Sequence, residues 1–291
     1  MAIVSTTTLA SFISERIGPA RDAVIAQHLW FPRAPLNGWL EMANLVGSQA
    51  ETHSFPLYGT LTSQALTQGI DLASSQQLTA TDSTATTGEH GLMALIADKV
   101  LRVIQTPNGE ADYVQAVLRN SLGAVATEFD VAVFALLASL DNSVGTTNVD
   151  LTFAALKAGV DYMAGANAPR PWIGLLHPTQ YKNLTDETGS PFLSAMQAQV
   201  QAQQFYSDYY IGRVLGVDWF YNTNVQTMNA GVDYAGGIIS NRAFGQVWSL
   251  APDSRLQRDE SLRGAEHIMV AEWAVTEIEG TMGVCVLSNV S

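Results

Sequence analysis

From Thr52 to Gly88 the chain carries no lysine or arginine, and only Asp71 and Asp82 are charged. A strand-like piece, His53 to Tyr58, opens the stretch, and Ser, Thr, Gln and Ala then dominate. A strand pattern resumes at Leu92 to Ala97 and leads into a short helical segment around Lys99 to Gln105. More than twenty residues of weakly structured polar chain are uncommon inside a compact domain, where such loops are functional or disordered. The flanking strands suggest a long projecting hairpin. Folded back on itself, it reaches on the order of 50 to 60 Å at about 3.3 Å per residue, beyond the radius of a typical domain. A disordered linker is the alternative. The apolar beads Leu61, Leu66, Ile70, Leu72 and Leu78 favour a loop that docks on something.

The second constraint is a helix. From Ala111 to Leu140, Val114, Val117, Leu118, Leu122, Val125, Phe129, Val133, Leu136, Leu137 and Leu140 recur at spacings of three and four, a buried stripe on a rod of about 45 Å. The breaker TPNG, Thr106 to Gly109, precedes it, and Asp141, Asn142 and Gly145 stop it. With a single such segment, a spine across one mixed domain fits better than a coiled coil. Residues 1 to about 50 show only short apolar patches punctuated by Pro19, Pro32, Pro35, Gly38 and Gly47. They read as an arm lying along another surface, with a loop-rich edge of the core as the alternative.

From Asn148 onward helices and strands interleave, giving an α+β or α/β unit. Helices are expected at Leu151–Ala164, Pro178–Leu184 and Phe192–Phe205. Buried strands are expected at Pro171–Leu176 and Gly237–Ser240, with a strand pair about Gly216 within Gly212–Asn222. The last 25 residues hold two strand-like runs broken at Gly280, with Met269, Ala271, Trp273 and Val275 alternating on one face.

Charge narrows the function classes. Lys plus Arg number 14 against 27 Asp plus Glu, a formal net charge of −13, and the only lysines are Lys99, Lys157 and Lys182. Tight nucleic-acid binding needs cations that displace counterions from phosphates, so it is disfavoured. With 47% hydrophobic residues the chain folds, and it has apolar surface to bury against partners. Cys285 stands alone, which removes an intramolecular disulfide or a Cys-paired zinc site. The N-terminus lacks the basic and apolar regions of a signal peptide. The run Ala132 to Leu140, broken by Ser139, is far short of a bilayer span. The sequons at Asn183 and Asn289 therefore carry little weight, and the expectation is a soluble protein of a reducing cytosol.

Chemistry-bearing motifs are scarce. There is no GxG spacing, no Gly-Lys pair and no GxSxG elbow. His28, His53, His90, His177 and His267 never fall at the spacing of a helical zinc pair. His177 follows a buried strand, where catalytic groups of α/β scaffolds sit. In HPTQY, however, Pro178 suits the first helical position and His177 can satisfy backbone groups at the turn, which is the stronger reading. Cys285, between Val284 and Val286, reads as a buried inert thiol. Glu277 and Glu279 share a strand face and fit a solvated surface better than acid/base work. No catalytic, cofactor or metal residue is assigned.

The order of these elements resembles the major capsid proteins of tailed double-stranded DNA phages, the Hong Kong 97-type fold. PWIGLLHPTQYKNL (Pro171–Leu184) is similar to the strand, His-Pro and helix of the family's axial domain. GRVLGVDWFYNTNV (Gly212–Val225) resembles the strand, glycine, strand that follows, and GGIISNRAFGQVW (Gly236–Trp248) the next strand and turn. The resemblance implies an α+β chain with an N-terminal arm (1–51) and an extended loop (52–92). A peripheral domain (93–147 and 251–291) and an axial domain (148–250) complete it. It implies hexamers and pentamers in an icosahedral virion capsid assembled in the host cytoplasm around double-stranded DNA, without sequence-specific binding or a membrane. Leu61, Leu66, Ile70, Leu72 and Leu78 of the extended loop would lie in the subunit interface.

Some family members weld the shell through a lysine in the extended loop. Here no lysine precedes Lys99, so non-covalent contacts or a cement (decoration) protein are expected to stabilise it. The N-terminus enters the arm at once, so a separate scaffolding protein is expected alongside a portal protein. An encapsulin-like compartment enclosing protein cargo is the near alternative, and a soluble α/β hydrolase centred on His177 the distant one.

Overall fold

A computed structural model describes residues 40–65, 68, 75–103, 109–187 and 210–290. Most of the expected arm, most of the breaker at Thr106 to Gly109, the expected helix at Phe192–Phe205, and Leu66, Ile70 and Leu72 lie outside these residues. The first part of the chain forms β1 (Glu41–Asn44), β2 (Thr52–Tyr58), β3 (Ala80–Thr86), β4 (Gly88–Ala97), α1 (Asp98–Val103) and α2 (Gly109–Ala135). Then come β5 (Ser143–Val144), α3 (Phe153–Gly165), β6 (Trp172–Leu176), α4 (Pro178–Asp186), β7 (Tyr210–Val214) and β8 (Val217–Tyr221). The chain closes with β9 (Thr227–Met228), β10 (Asp233–Ser240), β11 (Phe244–Asp259), β12 (Gly264–Glu277) and β13 (Gly283–Asn289).

Helix α2 is the spine that the stripe requires, but its last turn tightens into a 3-10 segment at Leu136–Ser139. There Ser139 Oγ donates to the Leu136 carbonyl at 2.9 Å and to Glu277 Oε2 at 2.5 Å, which closes the helix against β12. Tyr113–Ser139 is long and apolar enough to cross a bilayer, further than the sequence reading allowed, and half of its apolar window is buried in the protein. Phe129, Val133, Phe134 and Leu137 pack on Trp248, Met269, Ala271 and Trp273 and, further along, on Ile173, Leu175 and Ile239. One helix thus supplies the core of two sheets.

The larger sheet has seven strands in the order β5-β13-β10-β6-β8-β7, with β9 also on β10. Strand periodicity divides its residues between two cores. Ile173, Leu175, Ile239, Cys285 and Leu287 face α2, whereas Trp172, Leu176, Ile238, Val284 and Val286 face Leu156 and Met163 of α3 and Leu184 of α4. The β7–β8 turn is a two-residue loop, Leu215 and Gly216, both at positive φ (55° and 79°), with Val214 paired to Val217. This left-handed pair is the geometry that matches the twist of a tight hairpin.

The smaller sheet has four strands, β1-β11-β12-β4. Strand β11 runs on to Asp259, well past Trp248, where the segment likened to the family's next strand and turn stops. Its register shifts between Trp248 and Leu250 and between Leu250 and Asp253; the second shift contains Pro252, which has no N–H to offer a regular ladder. Residues 41–44 join this sheet as β1, and residues 88–92 as the start of β4. Residues 251–291 divide between the sheets, since β13 pairs with β10 and β5.

Candidate intersubunit surface

Strands β2 and β3 form an antiparallel hairpin, from Thr52 opposite Thr86 to Tyr58 opposite Ala80. The rungs continue outward. Gly59 N–H donates to the Thr79 carbonyl at 2.8 Å, Thr62 N–H to Gln76 Oε1 at 2.8 Å, and Gln76 Nε2 back to the Thr62 carbonyl at 2.7 Å. At strand rise, Thr52 to Thr62 spans about 35 Å. The residues of β3, ATDSTAT, form a strand without an apolar pattern; threonine and the ladder itself suffice.

The hairpin has a buried foot and an exposed shaft. Phe55 is 2% exposed, in a cluster with Ala85, Val247 and Ile278. Its ring lies where a side chain at position 245 would otherwise be: a Cβ on Gly245 would sit 2.8 Å from Phe55 Cζ. Ser83 Oγ donates to the Glu277 carbonyl at 2.5 Å, and Thr87 N–H to the Glu51 carbonyl at 2.9 Å. Beyond the foot, Tyr58, Leu61 and Leu78 are 61%, 58% and 50% exposed. Of the five expected interface leucines and isoleucine, the described ones, Leu61 and Leu78, therefore stand open to solvent. The sequence reading passed over Phe55, although its place between His53 and Leu57 gives the alternation of a strand with one buried face.

His177 caps α4. Thr179 N–H donates to His177 Nδ1 at 3.2 Å and His177 N–H to Gln180 Oε1 at 2.9 Å, a reciprocal cap. Its ring stacks on Tyr234 at 3.5 Å between centroids, and burial lowers its pKa from 6.5. Gln180, fully buried, donates onward to the Val286 carbonyl at 3.0 Å. The turn chemistry read from HPTQY is thus the chemistry observed. Cys285 is buried, and desolvation pushes its thiol up to about 12. Glu277 accepts from Ser139, and Glu279 lies 3.9 Å from Arg242. Among the described residues no cluster of three potential metal ligands occurs.

No family model matches this chain, and no curated protein matches it in sequence. Its likeness to solved structures is extensive. The capsid of Ralstonia phage GP4 superposes with a TM-score of 0.66 at 10% identity, over 87% of this chain and 87% of that one. The acid-stable capsid of Helicobacter pylori bacteriophage KHP30 gives 0.63 at 11% identity over 85% and 86%. A virus-like particle from Pyrococcus furiosus gives 0.58 at 10% identity over 94% and 98%. The superpositions take in most of this chain and most of each of those chains. The chain has the α+β architecture of these shells, the Hong Kong 97-type capsid fold.

Proposed function

We propose that this chain is the major capsid protein of a tailed phage. It assembles into hexamers and pentamers that form an icosahedral head around double-stranded DNA, a structural role and not a catalytic one. The observation that carries this reading is the hairpin, anchored at Phe55 and presenting Tyr58, Leu61 and Leu78 to solvent on a capsid fold. Burying a leucine fully contributes about 1.5–3 kcal/mol, and a charge-poor hairpin has few ions to desolvate. Repeated around a shell, such pairwise contacts accumulate through multivalency. The upstream residues serve as an arm and the hairpin as the extended loop. The four-stranded sheet with α1 and α2 forms the peripheral domain, and the seven-stranded sheet with α3 and α4, including β13, the axial domain.

Stabilisation is non-covalent, because no lysine lies between Thr52 and Asp98 to form a cross-link. A scaffolding protein, a portal and a cement protein are expected as separate chains. The net charge of −13 makes the wall repel phosphate, so packaged DNA slides instead of adhering. Electron microscopy of the purified protein tests the proposal: closed particles are expected, and monomers under every assembly condition refute it. A single subunit band on a denaturing gel is expected, and a covalent ladder refutes the non-covalent shell. The 94% and 98% coverage with the Pyrococcus particle favours one second reading, an encapsulin-like compartment. Protein instead of DNA inside the particles decides for it.

A further inference from the structure

Among the described residues, the outer face of the four-stranded sheet, away from α2, is covered at one end only. The hairpin foot occupies the end with Val247 and Ile278. At the other end the register sets Met93 opposite Ile268, Gly91 opposite Val270 and Leu95 opposite Glu266. Met93 and Leu95 are 64% and 49% exposed. Carboxylates border this apolar plate. Glu89 lies directly opposite Glu272, and like charges facing each other across a ladder are destabilising. Glu272 accepts from Ser249 Oγ at 2.7 Å, and Arg255 on β11 is held by Asp253 at 2.9 Å. Arg255 pairs with Ile268 on this same face, and among the described residues no cation lies within ion-pair distance of Glu89 or Glu272.

A complement to this plate needs a cation beside apolar side chains. The hairpin has no lysine or arginine, so a neighbour's hairpin cannot supply it. Helix α1 can: Lys99, Val100 and Val103 are exposed, Val103 at 70%. The α1 of the same molecule is held elsewhere. Its Asp98 accepts two hydrogen bonds of 2.7 Å from Arg258, which shares a strand face with Leu256, packed beside α2. Knob and plate therefore lie on different sides of one subunit.

We propose that α1 of one copy docks on this plate of a second copy, with Lys99 between Glu89 and Glu272 and with Val100 and Val103 on Met93, Leu95 and Ile268. The inference rests on the shell reading above. A contact between two different patches is head-to-tail, the kind that closes rings or extends arrays.

The test is a charge swap in the full chain, read by particle yield in electron microscopy and by thermal melting. Lys99→Glu alone, and Glu89→Lys together with Glu272→Lys, are each expected to lower particle yield about tenfold or more, since like charges juxtaposed in an interface are strongly unfavourable. The triple variant, with all three charges inverted, is expected to recover most of the yield. The glutamate pair variant keeps like charges facing each other within the chain, so its melting temperature stays level while assembly falls, an outcome that a purely structural role does not produce. Wild-type yield in both Lys99→Glu and the glutamate pair variant overturns the inference, as does a triple variant no better than either. A wild-type chain that forms no particles fails the shell reading itself, and the contact with it.

Discussion

The seven-stranded sheet has a layer on each face, α2 on one and α3 with α4 on the other, and its residues alternate between two buried cores. The four-stranded sheet has α2 on one face, while, among the described residues, the hairpin foot covers part of the other and leaves the remainder open. The first is complete within one chain. The second leaves apolar side chains open among the described residues, and apolar strand faces left in water forgo the burial that stabilises sheets. Stability is therefore expected to reside in the seven-stranded sheet and assembly in the four-stranded sheet with its hairpin.

The largest expected effect breaks the complete sheet. Trp219 is fully buried, donates Nε1–H to the Val214 carbonyl at 3.1 Å, and rests on Gly174, where a Cβ would lie 2.2 Å from its ring. Trp219→Ala is expected to cost about 3–5 kcal/mol, a large share of a typical domain's stability, measured as a shift in the urea midpoint. A loss under about 1 kcal/mol would contradict the assignment of stability to this sheet.

Phe55→Ala sharpens the comparison at the hairpin foot. About 3 kcal/mol is expected to be lost locally, seen as faster amide exchange over Thr52–Tyr58 and Ala80–Thr86 while β6 and β10 remain protected. Gly245→Val approaches the same socket from the sheet side and is expected to reproduce the effect. Uniform loss of protection across both sheets would show that the hairpin is not an independent unit.

Each half of the molecule also has one histidine whose pKa burial lowers from 6.5: His267 on β12 of the smaller sheet and His177 at the cap that follows β6 of the larger. His267 is fully buried, with Ser254 Oγ 2.7 Å from Nε2 and Ser121 Oγ 3.4 Å from Nδ1. The unfolded chain binds these protons more readily, so stability rises with pH across the interval between the lowered values and 6.5. It is complete above about pH 6.5 and falls as the solution is acidified below that. The more deeply buried His267 is expected to dominate, because its imidazolium would lose more hydration in the folded chain. Melting temperatures across this range are expected to flatten more in His267→Gln than in His177→Asn, and equal flattening would remove the distinction.

What the sequence revealed follows the strength of each local signal. The α2 stripe, the cap at His177, the turn at Leu215 and Gly216 and the alternation of β12 each rest on a few neighbouring residues, and each is where the sequence implied. The missed features depend on partners distant in the chain. Strand β11 continues past Pro252 because β12 holds it, and β13 joins the larger sheet because its alternate residues fill two cores. Phe55 became an anchor only because Gly245, far along the chain, leaves a socket for it. The plate around Met93 and Ile268 was illegible for the same reason, since neither strand alone is unusual.

The smallest expected effect on the single chain is at the hairpin shaft, and it separates the two kinds of surface most cleanly. Leu61 and Leu78 are exposed, so Leu61→Ser with Leu78→Ser is expected to alter the melting free energy by no more than about 0.5 kcal/mol. Each subunit that embraces a neighbour would nonetheless lose the transfer energy of two leucines, about 3 kcal/mol or more per contact, repeated around the shell. Sedimentation is expected to show a folded, unassembled chain at concentrations where the wild type forms particles. If the double variant assembles normally, the shaft is an ordinary solvated loop, and the demand for a second molecule falls on the open end of the four-stranded sheet alone.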